Sequence, residues 1–258
     1  MFRNELNKIR YSILESCFNT KEGHIGSAFS VIEILYVIFK KYFKKHYFIL
    51  SKGHAAIGLY AVMNHFKILK NKDYKSFCKL NSKLGGHPDS TKLPNLKFST
   101  GSLGHGLPVS SGLAYGLKIQ KDKRKIICLV GDQELMEWTT WESLHIINNY
   151  KIKNILLIID RNNSDFRSIK FLQLKKKLSV FCDKISEVDG HNIKALSSRI
   201  DKAIKNKKSF EILIAKTIKG KGIRSMENNP EWHHKAPSKK EMINYKLELK
   251  IWEKISQW

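Results

Sequence analysis

The chain has 258 residues, 42% of them hydrophobic, and its 47 Lys and Arg against 23 Asp and Glu give a formal net charge of +24. This composition excludes a disordered chain, and the lack of any run of about 18 apolar residues argues against a membrane span. Lysines are spread along the whole chain, beside abundant Ile and Asn, so the charge favours general lysine enrichment over a nucleic-acid surface. A more acidic partner subunit is a further explanation.

The N-terminus lacks the apolar core and the cleavage site of a signal peptide. The cysteines show neither metal-ligand nor redox-motif spacing; they are Cys17, Cys78, Cys128 and Cys182. Free thiols of this kind are typical of a reducing compartment, so we expect a cytoplasmic protein.

The predicted elements begin with helices. Apolar residues recur at helical spacing over 3–20, and a longer apolar stretch predicts a second helix over 27–43. A short strand at 48–50 leads through a polar turn into a helix over 54–66. The region 80–108 is rich in Gly, Pro and Ser and predicts a long loop, a kind of segment that is often functional in compact domains.

The second half of the chain alternates helices and strands. A helix is predicted over 107–120, and the apolar runs 125–130 and 154–160 are typical of parallel strands buried on both faces. The amphipathic segment 137–150 between them completes a strand–helix–strand unit. A further strand is predicted over 210–218.

We therefore expect a single domain over 1–258. Its fold class is α/β, with a doubly wound, mainly parallel sheet and helices on both faces. An amphipathic helix over 239–257 closes the chain.

Two of the predicted strands end in polar residues. Ligands of open α/β sheets bind at the carboxyl ends of the strands, where Asp132 and Asn162 lie. One carboxylate and one amide oxygen form an incomplete oxygen set that suits Mg²⁺, and a backbone carbonyl near Ser164 would add a ligand. Asp and Asn are also ordinary turn residues at strand ends. Spacing alone leaves both interpretations open.

Five histidines occur in separate turn-like stretches: His24, His54, His87, His105 and His233. Histidine suits sites that bind oxyanions and move protons near neutral pH. Their number predicts a polar pocket lined by proton donors and acceptors.

Several ordered motifs carry a family resemblance. They include GHIGSAFSVIEIL, FILSKGHAAIGLYAV, GGHPDS, STGSLGHGL, GDQELMEWTTWES, NILLIIDRNN, EVDGHNIKAL and AKTIKGKGIRSMENNPEWHHKAP. Over about residues 5 to 240 the chain resembles the N-terminal half of transketolase, and most closely the separate N-terminal subunit of split transketolases. The resemblance implies the thiamine diphosphate-binding fold.

The resemblance also implies a cofactor site. Asp132, Asn162 and the carbonyl of Ser164 would hold Mg²⁺, or Ca²⁺ or Mn²⁺, against the diphosphate of thiamine diphosphate. His54 and His233 would bind the diphosphate, and His233 would also lie close to the reacting carbon.

The sugar-binding side follows from the same resemblance. His24 and His87 would contact the donor sugar. The turn beneath the thiazolium ring would consist of Gly101, Leu103 and Gly104.

The resemblance implies a partner chain as well. Glu137 matches a family glutamate at the subunit interface, next to a proton-relay carboxylate, and joins His24, His87 and His233 as an expected catalytic residue. Too few residues follow this first domain to encode the pyrimidine-binding domain, so we expect that domain on another chain. We expect a C-terminal transketolase subunit as partner, in a heterotetramer with two of each chain or around a self-dimer of this one. The pair would transfer a two-carbon ketol unit between sugar phosphates, with no nucleic acid or membrane involved.

The sequence departs from the family at four positions. Gln133, Met136 and Trp138 replace Gly, Gln and Gly of the metal-binding segment, and His234 replaces a Gly after His233. Gln133 would fit against the diphosphate if its φ is negative, whereas a positive φ would strain it by about 1–3 kcal/mol.

Three alternatives stay open. A transketolase-like subunit could act on a modified or nucleotide-linked sugar in polysaccharide or natural-product synthesis. The α-subunit of a 2-oxoacid dehydrogenase or decarboxylase uses a similar metal loop, although the SKGHA, GGHPDS and EWHHKAP turns argue against it. A basic, non-enzymatic protein that binds nucleic acid is the third.

Overall fold

The computed structural model describes residues 2–163 and 172–251. Its strands are β1 (Tyr47–Leu50), β2 (Ile126–Gly131), β3 (Ile155–Arg161), β4 (Ile185–Asp189) and β5 (Glu211–Lys216). The helices are α1 (Phe2–Thr20), α2 (Ile25–Ser30), α3 (Ile32–Lys41), α4 (Ala56–His65), α5 (Asn71–Tyr74), α6 (Gly106–Ile119), α7 (Trp138–Asn149), α8 (Leu174–Leu178), α9 (Ile193–Lys205) and α10 (Lys239–Glu248).

The strands form one five-stranded sheet in the order β1-β2-β3-β5-β4, and every pairing is parallel. Alternate residues of a strand enter separate apolar cores on the two faces. In β2, Ile127 and Leu129 pack with α1 to α4 and α9, whereas Cys128 and Val130 pack with α6, α7 and α8. The predicted doubly wound α/β fold is confirmed.

The long helix predicted over 27–43 is divided into α2 and α3. The division falls at Val31, which has φ −110° and ψ 3°. Just before it, the hydroxyl of Ser30 donates to the carbonyl of Ser27 and to the carboxylate of Asp160 in β3. These hydrogen bonds stabilise the interruption, and because one of them reaches a distant strand, helical periodicity does not reveal it.

The last helix begins as predicted but is shorter. Periodicity predicts it over 239–257, whereas α10 ends at Glu248, because Lys250 adopts the left-handed conformation with φ 54°. Residues 252–257 of the predicted range lie outside the described residues.

The edge strand β4 was not predicted from the sequence. Its pattern of burial differs from that of the central strands, since Val188 is its one fully buried residue. A strand with a single buried residue lacks the continuous apolar run that identified β2 and β3.

Cys17, Cys128 and Cys182 are buried free thiols, and Cys78 is half-buried and also free. Among the helices of the described ranges, none combines the length and the apolar character that a membrane crossing requires.

Candidate active site

The carboxyl ends of β2 and β3 lie side by side. In the last pair of their ladder Gly131 is opposite Asp160. Asp132 comes directly after Gly131, and Asn162 comes directly after Arg161, the last residue of β3; both side chains are buried. The two residues predicted as metal ligands therefore emerge from neighbouring strands at the same edge of the sheet. Ser164, the third predicted ligand, lies outside the described residues.

The segment after β2 accommodates Gln133 without backbone strain. Asp132–Met136 forms a 3₁₀ helix, in which Gln133 is half-buried. Gln133 is not one of the described residues with positive φ. The left-handed strain that a side chain would suffer at a position requiring glycine is therefore not incurred here.

A buried carboxyl group that sequence reasoning missed organises this edge. Glu134 accepts hydrogen bonds from the Ser51 hydroxyl at 2.5 Å, from the Gly104 amide at 3.0 Å and from the Gly131 amide at 2.8 Å. Burial raises its pKa, and the three hydrogen bonds oppose that rise. Glu134 thereby joins the end of β1, the end of β2 and the glycine turn between them.

The glycine turn is packed too closely for larger residues. Gly104 has φ 77°, and a Cβ atom built on it would lie 2.4 Å from Cβ of Glu137. Gly101 has φ 153°, and its Cβ would lie 3.2 Å from the ring of His87. Leu103, between them, is half-buried. The predicted turn thus brings Gly101 against His87 and Gly104 against Glu137.

Four histidine rings from three turns meet in one cluster. His24 precedes α2, His54 lies in the 3₁₀ turn after β1, and His233 ends a 3₁₀ helix. The ring centroids are 5.7 Å apart for His24 and His54, 5.3 Å for His24 and His233, and 6.2 Å for His54 and His233. His234 lies 4.6 Å from His24. The sequence singled out three of these rings as pocket residues.

The other two predicted pocket histidines differ in position. His87 is exposed, packs on Gly101, and is one of the charges that lower the pKa of His24, so it borders the cluster. His105 is exposed at the start of α6, with its Nδ1 atom 2.9 Å from the carbonyl of Leu103. His105 thus belongs to the glycine turn.

The inner histidines are held neutral at neutral pH. Burial, assisted by the neighbouring His234 and His233, lowers the pKa of His24 to about 4. Burial and the adjacent Lys52 lower the pKa of His54 well below its usual range. A neutral imidazole offers one donor and one acceptor, which suits hydrogen bonding to oxygen atoms on either side.

Two contacts orient the outer histidines. The ammonium of Lys219 donates to Nδ1 of His233 at 2.9 Å, so in the neutral ring the proton resides on Nε2. Nε2 of His234 lies 3.1 Å from the carboxylate of Glu22. Sequence reasoning missed both Lys219 and Glu22, because no local pattern connects either residue to the ring that it contacts.

The described residues contain no group of three or more His, Cys, Asp or Glu side chains at metal-binding distances. The pair predicted from the sequence, Asp132 and Asn162, offers one carboxylate and one amide at the same edge of the sheet.

The chain is similar to known transketolases. The profile of the family described as "Transketolase, thiamine diphosphate binding domain" matches residues 2–254. One subunit of the apulose-4-phosphate transketolase of Actinobacillus succinogenes is 34% identical over 243 residues, which cover 88% of this chain and 88% of that protein. Human transketolase is 33% identical over 90% of this chain, but the match covers only 39% of its length.

Solved structures agree in fold. Transketolase from Campylobacter jejuni superposes with a TM-score of 0.85 at 24% identity, covering 96% of this chain and 42% of that one. A Pichia stipitis transketolase in complex with sedoheptulose 7-phosphate gives 0.87 at 22% identity, covering 96% and 40%. The family match over almost the whole chain, with more than 30% identity to a relative of similar length, confirms the resemblance seen in the motifs. This chain belongs to the transketolase family and corresponds to the N-terminal, thiamine diphosphate-binding domain of its longer members.

Proposed function

We propose that this chain is the cofactor-binding subunit of a two-chain transketolase, which transfers a two-carbon ketol unit from a ketose phosphate to an aldose phosphate. One observation carries the proposal. In a chain of this family, Asp132 and Asn162 emerge from the carboxyl ends of β2 and β3, and His54, which packs with His24 and His233, follows the carboxyl end of the adjacent strand β1. The candidate metal ligands and a set of imidazole proton donors and acceptors therefore share one edge of the sheet.

The donor atoms fit a divalent cation that bridges to a diphosphate. Mg²⁺ binds oxygen and usually takes few protein ligands, completing its shell with phosphate oxygens and water. Asp132 and Asn162 supply one carboxylate and one amide, and the carbonyl of Ser164 would be the third protein ligand. Ca²⁺ or Mn²⁺ would fit the same oxygen set. The bound cation would neutralise the diphosphate and anchor it.

Thiamine diphosphate, when bound, supplies the electron sink for cleaving the donor sugar. The chain's own residues bind and orient it. His54 would donate to a diphosphate oxygen, and Gln133 would lie against the same group. The close packing around Gly101 and Gly104 leaves Leu103 and the backbone of this turn to support the thiazolium ring.

Three histidines would lie on the side of the site that faces the sugar. His233 carries its proton on Nε2 because Lys219 donates to Nδ1, so its one N–H would donate to the diphosphate while the ring lies close to the reacting carbon. His24 and His87 would hydrogen-bond the hydroxyls or the carbonyl of the donor. A neutral His24 can donate to one oxygen while it accepts from another.

An apolar surface supports the need for a partner. It lies on α6, α7 and the turns beside them, and its exposed residues are Leu113, Tyr115, Ile119, Met136, Trp138, Ile146 and Tyr150. Trp138 is 80% exposed and is next to Glu137, the residue expected at the subunit interface. We propose that this surface, called the α6–α7 face below, contacts a C-terminal subunit with the pyrimidine-binding domain or a second copy of this chain. Two of each chain would form a heterotetramer.

The donor and acceptor are proposed to be sugar phosphates. The relative from Actinobacillus succinogenes is named for apulose 4-phosphate, and that relative is a subunit of similar length. Residues from both chains would line the substrate channel, so the partner would share in selecting the sugar. The free cysteines are compatible with the proposed cytoplasmic location.

A transfer assay tests this function. The chain alone, and the chain mixed with its C-terminal subunit, would be given thiamine diphosphate, Mg²⁺ and a panel of ketose and aldose phosphates. We expect turnover from the mixture and none from the chain alone. Turnover by the isolated chain would refute the partner requirement, and a mixture inactive on every pair would refute the transferase assignment.

A further inference from the structure

A buried ion pair lies directly behind the candidate metal ligands. Nζ of Lys52, just after β1, is 2.5 Å from Oδ2 of Asp160 in β3. The two side chains are 1% and 0% exposed. Removing two charges from water is costly unless each is fully paired, so a pair buried this deeply requires further hydrogen bonds.

Asp160 receives those hydrogen bonds from three further side chains. Ser30 donates to Oδ2 at 2.7 Å, and the side-chain amide of Asn162 donates to the same oxygen at 2.9 Å. Thr217, just after β5, donates to Oδ1. The network therefore ties α2 and the carboxyl ends of β1, β3 and β5 to a single carboxylate.

The network also passes the end of β2. A Cβ atom built on Gly131 would lie 3.8 Å from Cβ and 3.9 Å from Cδ of Lys52, so the lysine stem runs beside the residue that precedes Asp132. The carboxyl ends of four adjacent strands are thus in contact with Lys52 or with Asp160.

The hydrogen bonds to Asn162 determine which end of its amide faces Asp160. An ionised carboxylate only accepts hydrogen bonds, so it pairs with the NH₂ end of an amide. Nδ2 of Asn162 also lies 3.3 Å from the hydroxyl of Ser30, whose one proton is shared between Asp160 and the carbonyl of Ser27. The carboxylate of Asp160 and the hydroxyl of Ser30 therefore both accept from Nδ2 of Asn162. Oδ1 of Asn162 consequently points away from these two groups.

We infer that Asp160, paired with Lys52, is a positioning residue that holds the amide oxygen of Asn162 toward the cation before the cofactor binds. The inference rests on the proposed function, in which Asn162 is a metal ligand. A metal ion binds the oxygen of an amide and not its NH₂ group, so an Asn162 able to flip would present the wrong atom half of the time. Lys52 acts through Asp160 by compensating its charge.

The test measures metal binding by the full chain. Mn²⁺ would be titrated in the presence of thiamine diphosphate, with free Mn²⁺ followed by electron paramagnetic resonance. Asp160→Asn is close in size to the native residue but offers an amide that can pair with either end of Asn162. We expect it to raise the Mn²⁺ midpoint by about 10- to 100-fold, the usual effect of losing a group that orients a metal ligand.

A matched control separates positioning from stability. Arg10 and Glu33 form another buried ion pair, 2.7 Å apart with side chains 4% and 5% exposed, whose further hydrogen bonds go to the carbonyl of Lys221 and the ring of His191. Glu33→Gln should lower the thermal midpoint as Asp160→Asn does, yet leave the Mn²⁺ midpoint within about twofold. If Asp160→Asn does not fold, Thr217→Val serves instead, since it removes one hydrogen bond and no charge; we expect a smaller rise in the Mn²⁺ midpoint.

A second readout needs no cofactor. In ¹⁵N-resolved NMR spectra of the chain alone, the side-chain amide of Asn162 should show two well-separated protons in slow exchange with water. Asp160→Asn should accelerate that exchange, and Glu33→Gln should not. An unchanged Mn²⁺ midpoint in Asp160→Asn or Thr217→Val would overturn the inference and leave the proposed function standing. An unchanged exchange rate of the Asn162 amide protons in Asp160→Asn would do the same. A wild-type chain that binds no Mn²⁺ with thiamine diphosphate would sink the proposed function, and the inference with it.

Discussion

His24 is surrounded by other rings, and this controls its charge. His54, His233 and His234 all lie within ring-contact distance, and burial, together with the charges of His234 and His233, lowers the pKa of His24 to about 4. A protonated His24 would place a cation beside groups that can also become cations. The neutral form is therefore the working form in the proposed sugar contact.

The charge state of His24 predicts a pH dependence. Its pKa falls from 6.5 to about 4 on folding, so between these values the unfolded chain binds a proton that the folded chain does not. The contribution of His24 to stability is complete above about pH 6.5 and is lost as the pH falls toward 4. Histidine-detected ¹⁵N NMR should show His24 neutral at pH 5.5.

The thermal midpoint provides the corresponding control. His24→Gln should reduce the loss of stability between about pH 6.5 and 4, and His105→Gln, at an exposed position outside the cluster, should leave it unchanged. A His24 that titrates near its usual pKa would contradict the packing described here.

The glycine turn predicts a second effect of a single residue. Gly104→Ala would put a methyl group 2.4 Å from Cβ of Glu137 at a φ of 77°. We expect a loss of about 2–4 kcal/mol in the free energy of unfolding, from left-handed strain and overpacking together. Urea denaturation measures it. Gly112→Ala, in α6 with no heavy atom within 4 Å of the new Cβ, should instead stabilise the chain by roughly 0.5–1 kcal/mol.

Sequence reasoning singled out some residues of the candidate site and passed over others. Asp132, Asn162 and three histidines were found because they are polar residues in turns at the ends of predicted elements. Glu134, Asp160 and Lys52 were missed. Their burial depends on partners far away in sequence, and a charge in an apolar stretch does not reveal its partner until the strands are in place.

The same distinction holds among the elements. Continuous apolar runs predicted the strands β2 and β3, because a strand buried on both faces has no polar alternation to obscure it. The exposed edge strand β4 lacks that signal. The interruption between α2 and α3 depends on the bond from Ser30 to Asp160, a tertiary contact that local periodicity does not contain.

The C-terminal helix α10 provides a prediction for one element. Ser238 accepts from the amide of Glu241, and the carboxylate of Glu241 accepts from the amide of Ser238, which is a capping box. Ser238→Ala should cost about 1 kcal/mol and speed hydrogen exchange in the first turn of α10. Ser198→Ala, at an exposed position in α9, should cause neither change. Equal exchange in Ser238→Ala and wild type would show that the cap contributes nothing.

For the whole molecule, the α6–α7 face predicts association. Trp138→Ser should weaken binding to the C-terminal subunit or to a second copy by about tenfold or more, because an exposed tryptophan is a typical interface hot spot. Sedimentation velocity over a concentration series measures this. Leu80 is 94% exposed but lies outside the α6–α7 face, so Leu80→Ser should sediment like wild type. Equal effects of the two substitutions would exclude this face as the interface.

The claim on which the whole account depends is that Asp132 and Asn162 hold a divalent cation against thiamine diphosphate. The most direct measurement is equilibrium binding of Mn²⁺ to the full chain with and without thiamine diphosphate, in wild type, Asp132→Asn and Asp122→Asn. Asp122 is the control, because its carboxylate binds Arg124 at the opposite, amino edge of the sheet.

We predict one Mn²⁺ per chain that requires thiamine diphosphate, with its affinity reduced more than about tenfold by Asp132→Asn and unchanged by Asp122→Asn. Mn²⁺ binding that does not depend on thiamine diphosphate, or that survives Asp132→Asn intact, would contradict the account.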